Sequence, residues 1–160
     1  MAAYRYFVKK KSKIHNYGLF AKVNIKKNRK IAEYIGRKIS KKDGFKRQEI
    51  QFQKSRENRS KGMDYIFELN KGYSIDGSTP DNVAKYINHS CDPNCEAKIL
   101  KNRIWIFSKR GIKKGEELSY NYGYELEDFK KFRRECRCMA RKCIGYMVAQ
   151  NMRKKIVSIT

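Results

Sequence analysis

Apolar residues in this chain come in short β-branched and aromatic stretches, each closed off by glycine or a polar cluster before a long helix can form. Tyr4–Val8, Gly18–Ala21, Lys30–Ile35, Tyr65–Leu69, Gly72–Ile75, Ala97–Leu100 and Ile104–Ser108 read as strands. Lys101-Asn102, between the last two, is placed for a tight hairpin, although Arg103 follows where Gly is favoured. Many short strands and few short helices predict a mostly β domain, and 160 residues suit one core rather than two. The stretch from Ser40 to Gly62 differs: it is polar, strongly charged and apolar only at Phe45, Ile50 and Phe52. It predicts a surface insert carrying a helix. Asp81–Ile87 suits one helical turn with Pro80 or Asp81 near its start, and Asn151–Thr160 reads as a frayed end.

The net charge of +23 favours acidic partners such as nucleic acid or a nucleoprotein particle, and fits equally a lysine-rich solvated surface. No apolar run approaches the roughly 20 residues of a membrane span. The first residues run into Lys9-Lys10-Lys11 without a signal-peptide core, so a reducing intracellular setting is expected. There, five cysteines are metal ligands or free thiols sooner than disulfides.

Three segments carry chemistry. Asn88-His89-Ser90-Cys91-Asp92-Pro93-Asn94-Cys95 is a turn-rich loop holding a histidine and two cysteines, costly residues to display on a surface loop. Cys136-Arg137-Cys138-Met139-Ala140-Arg141-Lys142-Cys143 gathers three thiols, for which zinc is the natural use. A structural zinc takes four ligands, so the fourth must come from Cys91 or Cys95, with His89 and His15 as rivals. In Gly115-Glu116-Glu117-Leu118-Ser119-Tyr120-Asn121-Tyr122-Gly123-Tyr124, the alternating tyrosines would share one face of a strand. Three phenols are unusual in a core, because each buried hydroxyl needs a partner.

These segments, in this order, resemble the SET-domain lysine methyltransferases with a post-SET zinc motif. The likeness rests on "KYINHSCDPNC", "GEELSYNYGY" and the CxCx4C tail. His15 to Ala21 is similar to the family's "HGxGLFA", Glu33-Tyr34-Ile35-Gly36 to its "EYxG", and Tyr65-Ile66-Phe67 to its "YxF". The resemblance runs from about Tyr6 to Met147. It implies a SET domain over 4–125 with a variable, substrate-gripping insert at 40–62, a post-SET zinc motif over 132–148 and a tail over 149–160. The fold it implies is a set of small curved sheets with a knot-like threading, in which the C-terminal strand passes beside the Asn-His loop and brings Tyr122 next to Asn88-His89.

The resemblance also implies roles. S-adenosylmethionine would be held by His15, Tyr17, Tyr65, Asn88, His89 and Arg137. A lysine channel would be lined by Tyr34, Tyr65, Tyr120 and Tyr122, with Tyr122 as the catalytic tyrosine, supported by Tyr120 and Tyr34. Zinc would be held by Cys91, Cys136, Cys138 and Cys143, leaving Cys95 a free thiol. Tyr120 falls at the family's Phe/Tyr switch position, where tyrosine favours fewer methyl groups, so mainly mono-methylation is expected.

The implied activity is methyl transfer to a lysine side chain of a protein, either a histone or nucleosome or a ribosomal or other nucleic-acid-associated protein. The compartment would be the nucleus in a eukaryotic setting and the cytoplasm in a bacterial or viral one. A catalytically silent zinc module binding nucleic acid through its basic surface is the alternative. Three departures stand out: Asn16 in place of the first glycine, and Lys85 and Asn121 where many members carry Arg and Asp. Asn tolerates positive φ better than other non-glycine residues, so the turn at Asn16 should survive. The insert carries Lys41, Lys42, Lys46, Arg47, Lys54, Arg56, Arg59 and Lys61, a basic grip or a solvated face.

Overall fold

The computed structural model describes residues 5–57 and 64–158. In chain order the strands are β1 (Phe7–Lys11), β2 (Tyr17–Ala21), β3 (Lys30–Tyr34), β4 (Arg37–Ser40), β5 (Ile66–Glu68), β6 (Tyr73–Asp76), β7 (Asn88–His89), β8 (Cys95–Leu100), β9 (Arg103–Ser108) and β10 (Ser119–Tyr120). The α-helices are α1 (Lys41–Glu57), α2 (Leu126–Phe132) and α3 (Arg153–Val157), with 3₁₀ turns at Val83–Tyr86 and Gln150–Met152. The fold is therefore mostly β, in small sheets with short helices, as the sequence predicts. No helix among the described residues is long and apolar enough to cross a membrane. The residues fall into two units, one of 5–29, 87–96 and 107–158, the other of 30–57, 64–86 and 97–106.

In the first unit β1 and β2 form an antiparallel ribbon, from Phe7 opposite Ala21 to Lys11 opposite Tyr17. Asn16, at φ 37°, supplies the left-handed residue of the turn between them, as its tolerance of positive φ allows. The chain from Glu116 to Leu118 is stitched to β2: Ala21 N–H donates to Glu116 O at 2.8 Å and Leu118 N–H to Leu19 O at 2.7 Å. A Cβ at Gly18 would sit 2.3 Å from Glu117 Oε1 and would push that carboxylate away from Asn88 and Ser12. That docking carries β10 alongside β7 in parallel, Ser119 opposite Asn88 and Tyr120 opposite His89.

Two expectations are corrected in this unit. Only Ser119–Tyr120 is strand, so Tyr122 and Tyr124 do not alternate along one sheet face. Past Tyr120 the chain turns at Gly123, at φ 75°, whose N–H donates to Asn121 Oδ1 at 2.8 Å. The end of the chain is also not frayed over the described residues, which run to Ser158; 159–160 lie outside them. Ile156 on α3 is fully buried with Val148 and Phe129, and Leu126, Ile144 and Tyr146 pack around them. The last residues are held because they close the apolar face of α2, a helix the sequence reading missed because its pattern covers only two turns.

The second unit holds the sheets β3-β9-β8 and β4-β6-β5, the ends of β8 and β9 being counted with the first unit. Lys101 and Asn102 sit at φ 50° and 57°, the paired left-handed values of a two-residue hairpin turn. The helix predicted within the insert is α1. Ser40 starts it by accepting from Asp43 N–H at 3.1 Å and donating its hydroxyl to Asp43 Oδ2 at 2.7 Å. At Gly44 the helix lies so close to the sheet that a Cβ would meet Ser74 Oγ at 2.9 Å. Arg47 pairs with the buried Asp76 carboxylate at 2.7 Å. Strand β4, absent from the strands expected from the sequence, pairs with β6 from Arg37 opposite Asp76 to Ser40 opposite Tyr73. Residues 58–63 of the insert, with Arg59 and Lys61, lie outside the described residues.

Two predictions follow from burial in the first unit. Ile156→Ala, deleting methyl groups from a fully buried position, is expected to cost about 2–5 kcal/mol in denaturant unfolding, where a frayed end would cost nothing. Cys95 is almost solvent-free, and burial pushes its thiol up to about 12. It therefore stays protonated through pH 8, and alkylation monitored by mass spectrometry should be at least about 100-fold slower in the folded than in the unfolded chain, rising only toward pH 12.

Candidate active site and cysteine cluster

The pairing of β7 with β10 places the Asn-His loop and the tyrosine motif side by side in the first unit. Tyr122 N–H donates to His89 Nδ1 at 3.1 Å, and the two rings meet edge to face at 5.3 Å. The Tyr122 hydroxyl donates to Ile87 O at 3.0 Å. Its proton is thereby committed, so the phenol oxygen presents lone pairs, able to accept from an amine N–H or to face a positive centre. The Tyr120 ring lies 4.9 Å from that of Tyr122, and the Tyr124 ring 6.1 Å from it. The three tyrosines thus make an aromatic run, although the chain leaves the strand after the first.

Asn88 is oriented by acceptors. Its Nδ2 donates to Tyr17 O at 3.1 Å, Glu117 Oε1 at 2.8 Å and Ser12 Oγ at 3.2 Å. A carbonyl and a carboxylate can only accept, which settles which end of the amide faces them. Glu117 also accepts from Ser12 Oγ at 2.8 and 3.0 Å. Glu117 and Ser12 were not singled out from the sequence. The only signal for Glu117 is its place in the tyrosine motif, and Ser12 carries none. Tyr17 is exposed, and His15 is half-buried on the turn between β1 and β2.

Tyr34 and Tyr65 meet in the second unit, where the Tyr34 hydroxyl donates to Tyr65 O at 2.9 Å. Gly77 makes room for that ring, since a Cβ there would lie 2.3 Å from Tyr34 Cε1. Burial, and then the neighbouring Tyr86, push the Tyr65 phenol upward. Lys85, the first departure in this region, donates to Ser78 O and Thr79 O at 3.1 and 2.8 Å, binding the loop after β6. Asn121, the second, donates to Val148 O at 3.0 Å in the first unit, a bond that a carboxylate could not make.

Cys91, Cys136, Cys138 and Cys143 come together, with all four sulfurs within 4.8 Å of one another. Cys91 Sγ is 3.8 Å from both Cys136 Sγ and Cys143 Sγ. Four sulfurs at about 2.3 Å from a central zinc stand about 3.8 Å apart along a tetrahedron edge. Backbone N–H groups of Cys91 and Gly145 point at the sulfurs of Cys138 and Cys143, at 3.3 and 3.4 Å. Of the candidate fourth ligands, Cys95 and His15 are outside the cluster, and His89 Nε2 lies 3.6 Å from Cys91 Sγ. The hydrogen bond from Cys136 holds Cys91 far below the usual thiol range, at about 3, with burial opposing. Cys136, which keeps the proton, is raised by that contact and by burial, and burial also raises Cys143. The donor set and spacing fit a post-SET zinc site, in which a dication would replace the remaining protons. Arg137 is exposed on the same loop, beside Glu135 at 3.5 Å, and Arg153 of α3 donates to Cys91 O.

The sequence is also similar to those of known proteins. The chain is 40% identical over 141 residues to the histone-lysine N-methyltransferase set-2 of Caenorhabditis elegans, covering 86% of this chain and 9% of that protein. It is 38% identical over 143 residues to an H3 lysine-4 specific histone-lysine N-methyltransferase of Emericella nidulans, covering 86% of this chain and 11% of the relative. It is 42% identical over 123 residues to the histone-lysine N-methyltransferase ATXR7 of Arabidopsis thaliana, covering 74% of this chain and 8% of the relative. The chain thus spans about a tenth of the length of these relatives. Residues 16–123 match the profile of the SET domain, a match that takes in the Asn-His loop, Cys91 and the tyrosine motif as far as Gly123, and the chain belongs to the SET-domain family.

Proposed function

We propose that this chain transfers a methyl group from S-adenosylmethionine to the side-chain amine of a lysine in a protein. The observation that carries the reading is Tyr122, fixed beside Asn88-His89 by bonds from both its backbone and its phenol. S-adenosylmethionine supplies the methyl group and a sulfonium charge. The side chains do the rest by position, because in-line displacement is accelerated chiefly by alignment. The Tyr122 oxygen, with its proton held by Ile87, offers lone pairs that orient the amine. Aromatic walls at Tyr120 and Tyr122 exclude water, favour the neutral amine and attract a methylated ammonium through their faces. Asn88, with its amide fixed by Tyr17, Ser12 and Glu117, is assigned with His15, Tyr17, Tyr65, His89 and Arg137 to the cofactor. Tyr34 is assigned to the lysine channel. No carboxylate is required as a general base, since the amine can lose its proton to water.

Zinc, when bound, supplies the charge that holds four thiolates together, and folding energy for the tail. Cys91, Cys136, Cys138 and Cys143 are its proposed ligands, on the spacing of their sulfurs. The proposed substrate is a histone, by analogy with relatives whose names specify histone lysine. That substrate would put the protein on chromatin, in a nucleus. Helix α1 favours a nucleic-acid-associated target, because Lys42, Lys46, Lys54 and Arg56 are all exposed along it. A ribosomal substrate would suit the same surface. The switch residue Tyr120 is buried and in contact with Tyr122, which supports mono-methylation as the main outcome.

Incubation with labelled S-adenosylmethionine and histones, nucleosomes or whole-cell extract is expected to label a discrete protein band. Tyr122→Phe, which removes the phenol oxygen, should lower kcat at least about 100-fold. Salt-sensitive DNA binding with no label in any fraction would support the silent binding module instead. Mass spectrometry of the product should show chiefly monomethyl-lysine, and Tyr120→Phe should shift it toward di- and trimethyl-lysine. Unshifted trimethyl product from the unaltered chain would refute that assignment. Metal analysis should give one zinc per chain, falling well below one in Cys91→Ser and remaining at one in Cys95→Ser.

A further inference from the structure

His89 is almost solvent-free, and both its ring nitrogens are engaged within the first unit. Nδ1 receives the Tyr122 N–H at 3.1 Å, and Nε2 faces Cys91 Sγ at 3.6 Å. A backbone N–H is only a donor, so Nδ1 must be the bare acceptor and the ring proton sits on Nε2. That proton is aimed at the sulfur, which as a metal-bound thiolate is an acceptor.

The position explains why a ring is needed. Strand pairing ends at Tyr120, whose O accepts from Ser90 N–H at 3.2 Å. Two residues further on, Tyr122 N–H has left the ladder, and the His89 ring receives it. The same ring reaches back to Cys91, two residues along its own loop.

We propose that His89 is a positioning residue, locked as the Nε2–H tautomer, whose ring ties the metal-bound thiolate of Cys91 to the backbone of Tyr122, so that occupancy of the cysteine cluster sets the position of Tyr122. With both ring nitrogens engaged, contact between His89 and the cofactor runs through its backbone. The proposal deepens the zinc and methyl-transfer readings and rests on them.

The test separates the two ends of the ring. In His89→Asn, Oδ1 stands near the position of Nδ1 and can accept from Tyr122, but the donor to sulfur is lost. In His89→Gln, Nε2 can reach the sulfur, but the acceptor for Tyr122 is lost. Cobalt(II) titration of each protein, followed by the sulfur-to-metal charge-transfer bands, reads the sulfur end. Affinity should fall about 10- to 100-fold with shifted bands in His89→Asn, and stay within about 3-fold of the unaltered protein in His89→Gln. Amide hydrogen exchange at Tyr122 reads the other end: it should speed up at least about 10-fold in His89→Gln and change little in His89→Asn. In His89→Gln, kcat should fall while KM for S-adenosylmethionine holds. Unchanged cobalt affinity and bands in His89→Asn, or unchanged Tyr122 exchange in His89→Gln, would overturn the proposal.

If either variant fails to fold, the ¹⁵N shifts of the His89 ring in the unaltered zinc-loaded protein decide the matter. A proton on Nε2 and a bare Nδ1 are expected, and a proton on Nδ1 overturns the proposal. The cobalt, exchange and ring-nitrogen measurements need no turnover. Absence of methyl transfer would therefore sink the functional reading while leaving this one to be judged separately.

Discussion

Two residues of parallel strand, Ser119 and Tyr120 beside Asn88 and His89, set the arrangement of everything chemical in the first unit. The pairing is short, and its backbone bonds alone would be worth only a few kcal/mol. It holds because the chain leading into it is already fixed: Glu116 and Leu118 are bonded to β2, and Leu118 is fully buried. Residues at either end are then delivered to fixed places. Tyr122 comes to the His89 ring, Glu117 to Asn88, and Cys91 to the cysteines of the tail.

The tail joins this frame through backbone and side-chain bonds. Glu135 bridges to Tyr146, Cys136 N–H donates to Gly145 O at 2.8 Å, and Ala149 N–H to Tyr124 O at 2.8 Å. Asn121 adds a side-chain bond to Val148 O. Its amide can donate to Val148 and accept from Gly123 at once, so the departure from the family's usual Asp gives this chain a direct tie between the tyrosine motif and its last segment. The apolar cluster of Phe129, Val148 and Ile156 then seals the end of the chain. Cysteines, hydrogen bonds and apolar burial all draw the tail onto the same frame, which is how a strongly basic segment packs despite its self-repulsion.

Where sequence and structure differ, the cause is a tertiary contact. The tyrosines of the motif alternate as a strand would, yet pairing stops at Tyr120 because β7 is only two residues long. The rings of Tyr120 and Tyr124 are still 4.9 and 6.1 Å from that of Tyr122. Arg37–Ser40 carries no strand pattern and becomes one because β6 offers it a full ladder. The hairpin at Lys101-Asn102 and the helix of the insert were legible, because a turn and a capped helix are specified by neighbours in sequence.

The sequence by itself determined the family, the mostly β class and the identity of the chemical groups: a histidine loop, a tyrosine motif and closely spaced cysteines. These are local patterns, readable wherever residue types and spacing carry the meaning. Tertiary structure alone decided which cysteine completes the cluster, where the Tyr122 proton goes, which way the Asn88 amide faces and which nitrogen of His89 meets Cys91. Ser12 and Glu117, or Cys91 and Cys143, are far apart in the chain and meet only in the folded structure. A hydrogen bond or a metal cradle is a matter of ångströms between such groups, and no local pattern encodes that distance.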